Sequence, residues 1–207
     1  MKFETWFPTV IGLSHCPFIN KIQSPYKKII KNYPVDKYGF INVPIHRKPK
    51  LKKLTDWITQ EVNTFSKSHR FIFKYEPKES WIWNYEVGVS QEFHTHLGYT
   101  ISTVFFLEGY QEDSSIVFRS PMHNDMKNPL GTQPHTSMNA DIYNSYTFKT
   151  CSFPPLSGTL LVWRSYLEHK VVAKQGPEKR IVFAYNFDPD SASQLDYEHQ
   201  LKGLEKQ

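Results

Sequence analysis

The sequence predicts a mainly β chain, a jelly roll with flanking N-terminal helices. Three observations carry that prediction. After Tyr75, short runs rich in β-branched and aromatic residues follow one another, separated by breaks such as Gly98, Gly109, Pro121, Gly158 and Gly176-Pro177. Fifteen Phe, twelve Tyr and fourteen Pro favour strands and loops over a helical bundle. Before Tyr75 the pattern is different, and one strong helical period stands out. A length of 207 residues suits one domain, 1–207, with helical support in 1–75 and the β core in 76–190.

The elements follow in order. Residues 1–50 are mixed, with scattered prolines and a short helix expected over 24–31, where Tyr26, Ile29 and Ile30 fall at helical spacing. The clearest helix covers 51–66. Leu51, Leu54, Trp57, Ile58, Val62 and Phe65 form one stripe, with Lys, Asp, Gln and Glu on the other side. Strands are expected over 80–86, 92–96, 100–107, 115–119, 146–148, 159–163, 169–173 and 180–187. About eight strands in a chain of this size suggest two packed sheets, with helix 51–66 covering the outside of one. Residues 120–143, rich in Pro, Asn, Met and Gly, are too long for an ordinary connection; they read as a lid over a site, with a disordered excursion as the alternative.

Composition excludes several classes. The net charge of +5 is modest, and much of it sits in 46–53. No aromatic residues interleave those charges, which argues for a solvated lead-in to the helix and against a nucleic-acid partner. Cys16 and Cys151 match neither a disulfide framework nor a zinc module. The N-terminus lacks the apolar run of a signal peptide, and no segment approaches the length of a membrane span. The expectation is a soluble, cytoplasmic protein with reduced thiols.

The chemistry concentrates in four residues. Side chains two apart on a strand share a face, so His94 and His96 can present two imidazoles to one ion. His169 opens another apolar strand and is the third candidate. Imidazole suits Fe, Zn, Cu and Ni, so the spacing predicts a metal site without choosing the metal. The competing view is three unrelated, solvated histidines. Glu92 shares strand parity with His94 and His96 and is an alternative ligand, whereas Glu168 should point away. Arg180 opens the run 180–187, whose sides are Arg180, Val182, Ala184, Asn186 and Ile181, Phe183, Tyr185, Phe187. The first side leaves room beside a guanidinium, which grips carboxylates in bidentate fashion. If 174–179 is a hairpin turn, His169 and Arg180 sit on neighbouring antiparallel strands and face one cavity.

These residues resemble a known family. His94-Thr95-His96, then His169, then Arg180 on the last strand is the order found in iron and 2-oxoglutarate dioxygenases. More narrowly, the chain is similar to a small family of 2-oxoglutarate–iron oxygenases of marine bacteria and their phages. The likeness runs through Trp6-Phe7-Pro8-Thr9, Trp83-Asn84, Ile101-Ser102-Thr103-Val104-Phe105-Phe106-Leu107, Ile116-Val117-Phe118-Arg119-Ser120-Pro121, and Pro155-Leu156-Ser157-Gly158-Thr159-Leu160-Leu161-Val162-Trp163. The resemblance implies a double-stranded β-helix of the prolyl-hydroxylase kind. It implies Fe(II) and 2-oxoglutarate as cofactors, with iron on His94, His96 and His169 and the far carboxylate of 2-oxoglutarate on Arg180. It implies cleavage of that cosubstrate to succinate and carbon dioxide, coupled to oxidation of a C–H bond.

The chain departs from the family pattern at several points. His96 stands where the superfamily has a carboxylate, which brings zinc into competition. Phe106 stands where prolyl-hydroxylase relatives often have Tyr, and Val182 where many have Ser. Ser102 and Asn84 remain as polar candidates for the cosubstrate. Two other functions share part of this pattern. A cupin-type metal enzyme would use the same histidines and have no need of Arg180. A non-enzymatic jelly-roll binding protein would need neither. The substrate, whether a protein side chain or a small molecule, is not legible, and a homodimer is left open.

Overall fold

The computed structural model describes residues 9–122 and 149–196. The lid expected over 120–143 and the strand expected over 146–148 lie almost entirely or entirely outside the described residues.

Among the described residues, ten strands form two antiparallel sheets. The larger sheet has the order β1 (Ile11–His15), β8 (Thr159–Arg164), β5 (Ile101–Glu108), β10 (Arg180–Pro189), β3 (Tyr75–Tyr85) and β2 (Phe40–Ile41). The smaller has the order β4 (Gln91–His94), β9 (His169–Val171), β6 (Ile116–Arg119) and β7 (Thr150–Phe153). This is the expected jelly roll. Its central strands, β5 and β10, are buried along nearly their whole length because both faces of the larger sheet are covered.

Helices α1 (Ile19–Ile30) and α2 (Lys52–Ser68) cover one of those faces. Leu54, Ile58, Val62 and Phe65 recur every three or four residues, and all are buried against the sheet. Helix α1 begins five residues before the expected start at 24, and it carries Pro25 inside. Proline costs about 3 kcal/mol in a helix interior. Ile22, Tyr26 and Ile30 offset that cost by packing along one stripe, with Tyr26 stacked 6.4 Å from Phe183 of β10. The resulting core contains Phe105, Phe183, Tyr185 and Phe187, each fully buried.

A second apolar cluster lies between the two sheets. Val104, Phe106 and Val182 contribute from the larger sheet, and Ile116 and Phe118 from the smaller. The alternation along β10 is the one expected: odd-numbered residues face the helices and even-numbered ones face the smaller sheet. The hairpin expected between His169 and Arg180 is absent. Strand β9 belongs to the smaller sheet and β10 to the larger, so 174–179 crosses between sheets. Among the described residues no helix is long and apolar enough to cross a membrane.

Candidate metal centre

Strand β4 pairs with β9, and His94 stands directly opposite His169 in that register. The strand ends at His94. His96 therefore does not share a strand face with it, as the two-residue spacing predicts. Its position comes from its own backbone N–H, which donates to Ser165 O at 3.1 Å. The three imidazoles meet all the same, and one ligand atom from each lies within 4.8 Å of the others. His169 is 3% exposed and packed edge-on against Trp163, at 4.8 Å between ring centres.

Two of the rings are oriented by backbone carbonyls. His94 Nδ1 lies 2.7 Å from Glu92 O, and His169 Nδ1 lies 3.1 Å from Leu167 O. Each Nδ1–H is thereby used, which leaves a bare Nε2 for a metal ion. Burial, reinforced by the neighbouring His94, pushes His96 down to about 4 and His169 down to about 3. Both rings are neutral at physiological pH, as ligation requires. The donor set fits a transition metal.

Glu92 does not complete this set. The β4–β9 register shifts between Gln91 and His94, which turns Gln91 toward the rings and leaves Glu92 exposed. Glu168 points away, as expected, and pairs with Arg119 at 3.0 Å.

The histidines line a cavity of about 50 Å³ between the sheets. Val182 and Ala184 form its floor, and Trp81, Trp83 and Tyr85 form one wall. A second hollow of about 20 Å³ adjoins it and ends at Arg180. Tyr85, Val104, Ile116, Val171 and Val182 line both. His169 and Arg180 thus face adjoining hollows, from opposite sheets and not from one hairpin.

Arg180 is 1% exposed and stacks over Tyr85, 4.3 Å from its ring centre. Nη1 donates to Ser114 O at 2.6 Å and to Ser114 Oγ at 3.1 Å. Nη2 reaches Val172 O only at 3.4 Å, and the buried Nε has no partner. The Nε–Nη2 edge is one that a carboxylate can grip in bidentate fashion, and its Nε is left without a partner. Burial lowers the Arg180 pKa, while Asp113 and Tyr85 oppose that shift. Asp113 Oδ2, also buried without a hydrogen bond, lies 3.7 Å from Nη1.

Two expected cosubstrate residues are not brought to the cavity. Asn84 alternates with Trp83 and Tyr85 and so stands on the opposite face of β3, opposite Ile181 in register. Its backbone is held against Gly39, where an added Cβ would come within 1.9 Å of Asn84 O at a φ of +92°. Ser102 is buried on the correct face of β5, but its hydroxyl bonds to Ser165 Oγ at 2.7 Å and Asn186 Oδ1 at 2.8 Å. It reaches the histidines only indirectly, through Asn186 and Ser165. Trp81, Trp83, Tyr85, Asp113 and Asn186 were not singled out from the sequence as site residues. The strand parity of 81, 83 and 85 was the available signal for three of them.

A jelly roll with three converging imidazoles and a buried arginine beside them fits the metal-dependent oxygenase class. The family model described as "Putative 2OG-Fe(II) oxygenase" matches residues 79–186, and the chain belongs to that family. It is accordingly an oxidoreductase whose cofactors are Fe(II) and 2-oxoglutarate. No curated protein matches it. Among solved structures the fold is similar to HygX from Streptomyces hygroscopicus with nickel, 2-oxoglutarate and hygromycin B bound. That match has 14% identity and a TM-score of 0.60, over 88% of this chain and 84% of that one. It is also similar to a Pseudomonas putida prolyl-4-hydroxylase, at 10% identity and a TM-score of 0.55, over 86% of this chain and 92% of that one.

Proposed function

We propose that His94, His96 and His169 hold the Fe(II), and that Arg180 receives the far carboxylate of 2-oxoglutarate on its Nε–Nη2 edge. The observation that carries this reading is the adjacency of the two hollows, which share Tyr85, Val104, Ile116, Val171 and Val182, with imidazoles lining one and the guanidinium the other. When bound, the iron supplies the redox chemistry that lets oxygen attack a C–H bond. The chain's own residues do the rest. Tyr85, whose phenol burial keeps protonated, lines both hollows and supplies the hydroxyl that Phe106 lacks. Val104, Ile116 and Val182 keep water from the middle of the cavity. Trp81 and Trp83, each partly exposed, flank the approach to the histidines and meet the substrate.

Among the described residues, 76–190 supply the lining of this site and 9–75 supply the edge strands and the helices that brace the larger sheet, so we read the chain as one working domain. Cys16 and Cys151 are both free thiols, in keeping with the cytoplasm.

The test is anaerobic loading with Fe(II), then measurement of succinate formed from 2-oxoglutarate and oxygen without added substrate. The wild type is expected to bind one iron and turn over slowly, and His169→Ala to do neither. Iron binding without any succinate would favour a cupin-type enzyme that makes no use of the keto acid.

A further inference from the structure

The hydrogen-bond directions around the histidines carry one more step, which rests on reading His94, His96 and His169 as the ligands. Glu79 Oε2 lies 2.9 Å from the Asn186 amide nitrogen Nδ2. A carboxylate only accepts, so Asn186 must present its NH2 edge to Glu79. Its Oδ1 on the other side accepts from Ser102 Oγ at 2.8 Å. Tyr99 also hydrogen-bonds Glu79.

The same Nδ2 carries a second hydrogen, and it lies 3.4 Å from His96 Nδ1. With a donor facing it, His96 Nδ1 keeps its lone pair, and the neutral ring carries its proton on Nε2. That Nε2 lies 3.3 Å from His169 Nε2. His169 uses its Nδ1–H on Leu167 O and so offers a bare Nε2 as acceptor. The donors therefore run one way, from Asn186 through His96 to His169 and the Leu167 carbonyl. His94 and His169 present lone pairs to the centre, and His96 presents an N–H.

We propose that the Glu79–Asn186 pair sets the tautomer of His96 and makes it a conditional metal ligand. A divalent ion meets His94 and His169 first. His96 joins when its proton is exchanged through solvent from Nε2 to Nδ1, which leaves the ring neutral throughout. The Asn186 amide must then turn over so that Oδ1 accepts from Nδ1–H. The turned amide sets Oδ1 against the Glu79 carboxylate, acceptor against acceptor, and this opposes the third ligation. Glu79 and Asn186 are positioning residues, since neither touches the ion.

Two measurements test this. Two-bond proton–nitrogen correlation spectra of the metal-free protein report each ring's tautomer. The expected result is an Nε2–H form for His96 and Nδ1–H forms for His94 and His169. Finding His96 in the Nδ1–H form would overturn the proposal. The second measurement is a Ni(II) titration of Glu79→Gln. Glu79 is exposed, so the change should not disturb folding. A glutamine can donate to the turned Asn186, so affinity should rise by up to about tenfold, the equilibrium worth of one neutral hydrogen bond regained, and the Nδ1–H form of His96 should appear. Unchanged or weaker binding in E79Q, with His169→Ala losing the metal, would sink the tautomer proposal and leave the ligand assignment standing. Retention of metal by His169→Ala would take down the assignment itself.

Discussion

The two sides of β10 are both buried and are built for different purposes. Toward the helices, Ile181, Phe183, Tyr185 and Phe187 interdigitate with α1, α2 and Phe105, and a polar contact joins Tyr185 Oη to Thr55 Oγ1 at 3.2 Å. Toward the smaller sheet, Arg180, Val182, Ala184 and Asn186 include two polar groups, small side chains and a cavity. On that side Arg180 Nε and Asp113 Oδ2 are buried without hydrogen bonds. Buried unsatisfied groups cost stability. One strand thus holds the packing that stabilises the fold and, two residues away, the unfilled space and unpaired groups that prepare a site. The difference predicts that substitutions on the two sides separate stability from binding.

The largest effect is expected on the packed side. Phe183→Ala should cost about 3–5 kcal/mol of unfolding free energy, the usual range for removing a buried aromatic ring. Denaturant unfolding of the metal-free protein checks this. Iron stoichiometry under native conditions should be unchanged. A loss below about 1 kcal/mol would break the division between the two sides. On the cavity side, His169→Ala should lower metal affinity by at least about 100-fold, since loss of a ligand exceeds loss of an outer-shell partner. Its cost to the metal-free fold at neutral pH should be well below that of Phe183→Ala.

A smaller effect is expected at the far end of the cavity. Arg180→Lys keeps a charge and loses the planar fork. It should weaken 2-oxoglutarate binding by about 1.5–3 kcal/mol, the worth of a hydrogen bond to a charged group. Calorimetric titration of the Ni(II)-loaded protein reads this directly. Equal affinity in both proteins would place the cosubstrate elsewhere. Asp113, 3.7 Å from Nη1, then becomes the only anion that Arg180 serves among the described residues.

Legibility from sequence followed burial. Helix 51–66 and the strands over 100–107 and 180–187 were readable because each carries a long, regular apolar period, and their observed bounds differ by only a few residues. Strands β1, β2 and β7 were missed. They are edge strands of two to five residues, and β1 and β7 mix Gly, Ser, His and Cys with exposed positions. An edge has no second partner to impose a pattern. At the site, the three histidines and Arg180 were legible as residue types in order. The route that joins them was not, because β9 and β10 lie in different sheets, and a run such as 174–179 reads alike as a hairpin or a crossover. Asn186 was placed on the correct side of its strand. Its partner Glu79 depends on the β10–β3 register, 186 opposite 79, which no single-strand period contains.

The last prediction concerns acid, where the cavity side should work against the fold. His96 and His169 are held down to about 4 and about 3, first by burial and then by neighbouring imidazole, from an ordinary value of 6.5. In the unfolded chain both return to roughly 6.5. Below that pH the unfolded chain therefore binds protons that the folded, metal-free protein refuses. Stability is fully present above about 6.5 and is lost as pH falls from there toward about 4, by up to about 1.4 kcal/mol per pH unit for each ring. His169→Ala removes one of the two contributions. Thermal unfolding of the metal-free proteins between pH 7 and pH 4.5 should show a shallower decline in the variant than in the wild type. The variant would gain acid tolerance relative to the wild type as it loses the metal. A steeper decline in His169→Ala, or identical slopes, would mean that the buried imidazole is compensated by its surroundings and does not oppose folding.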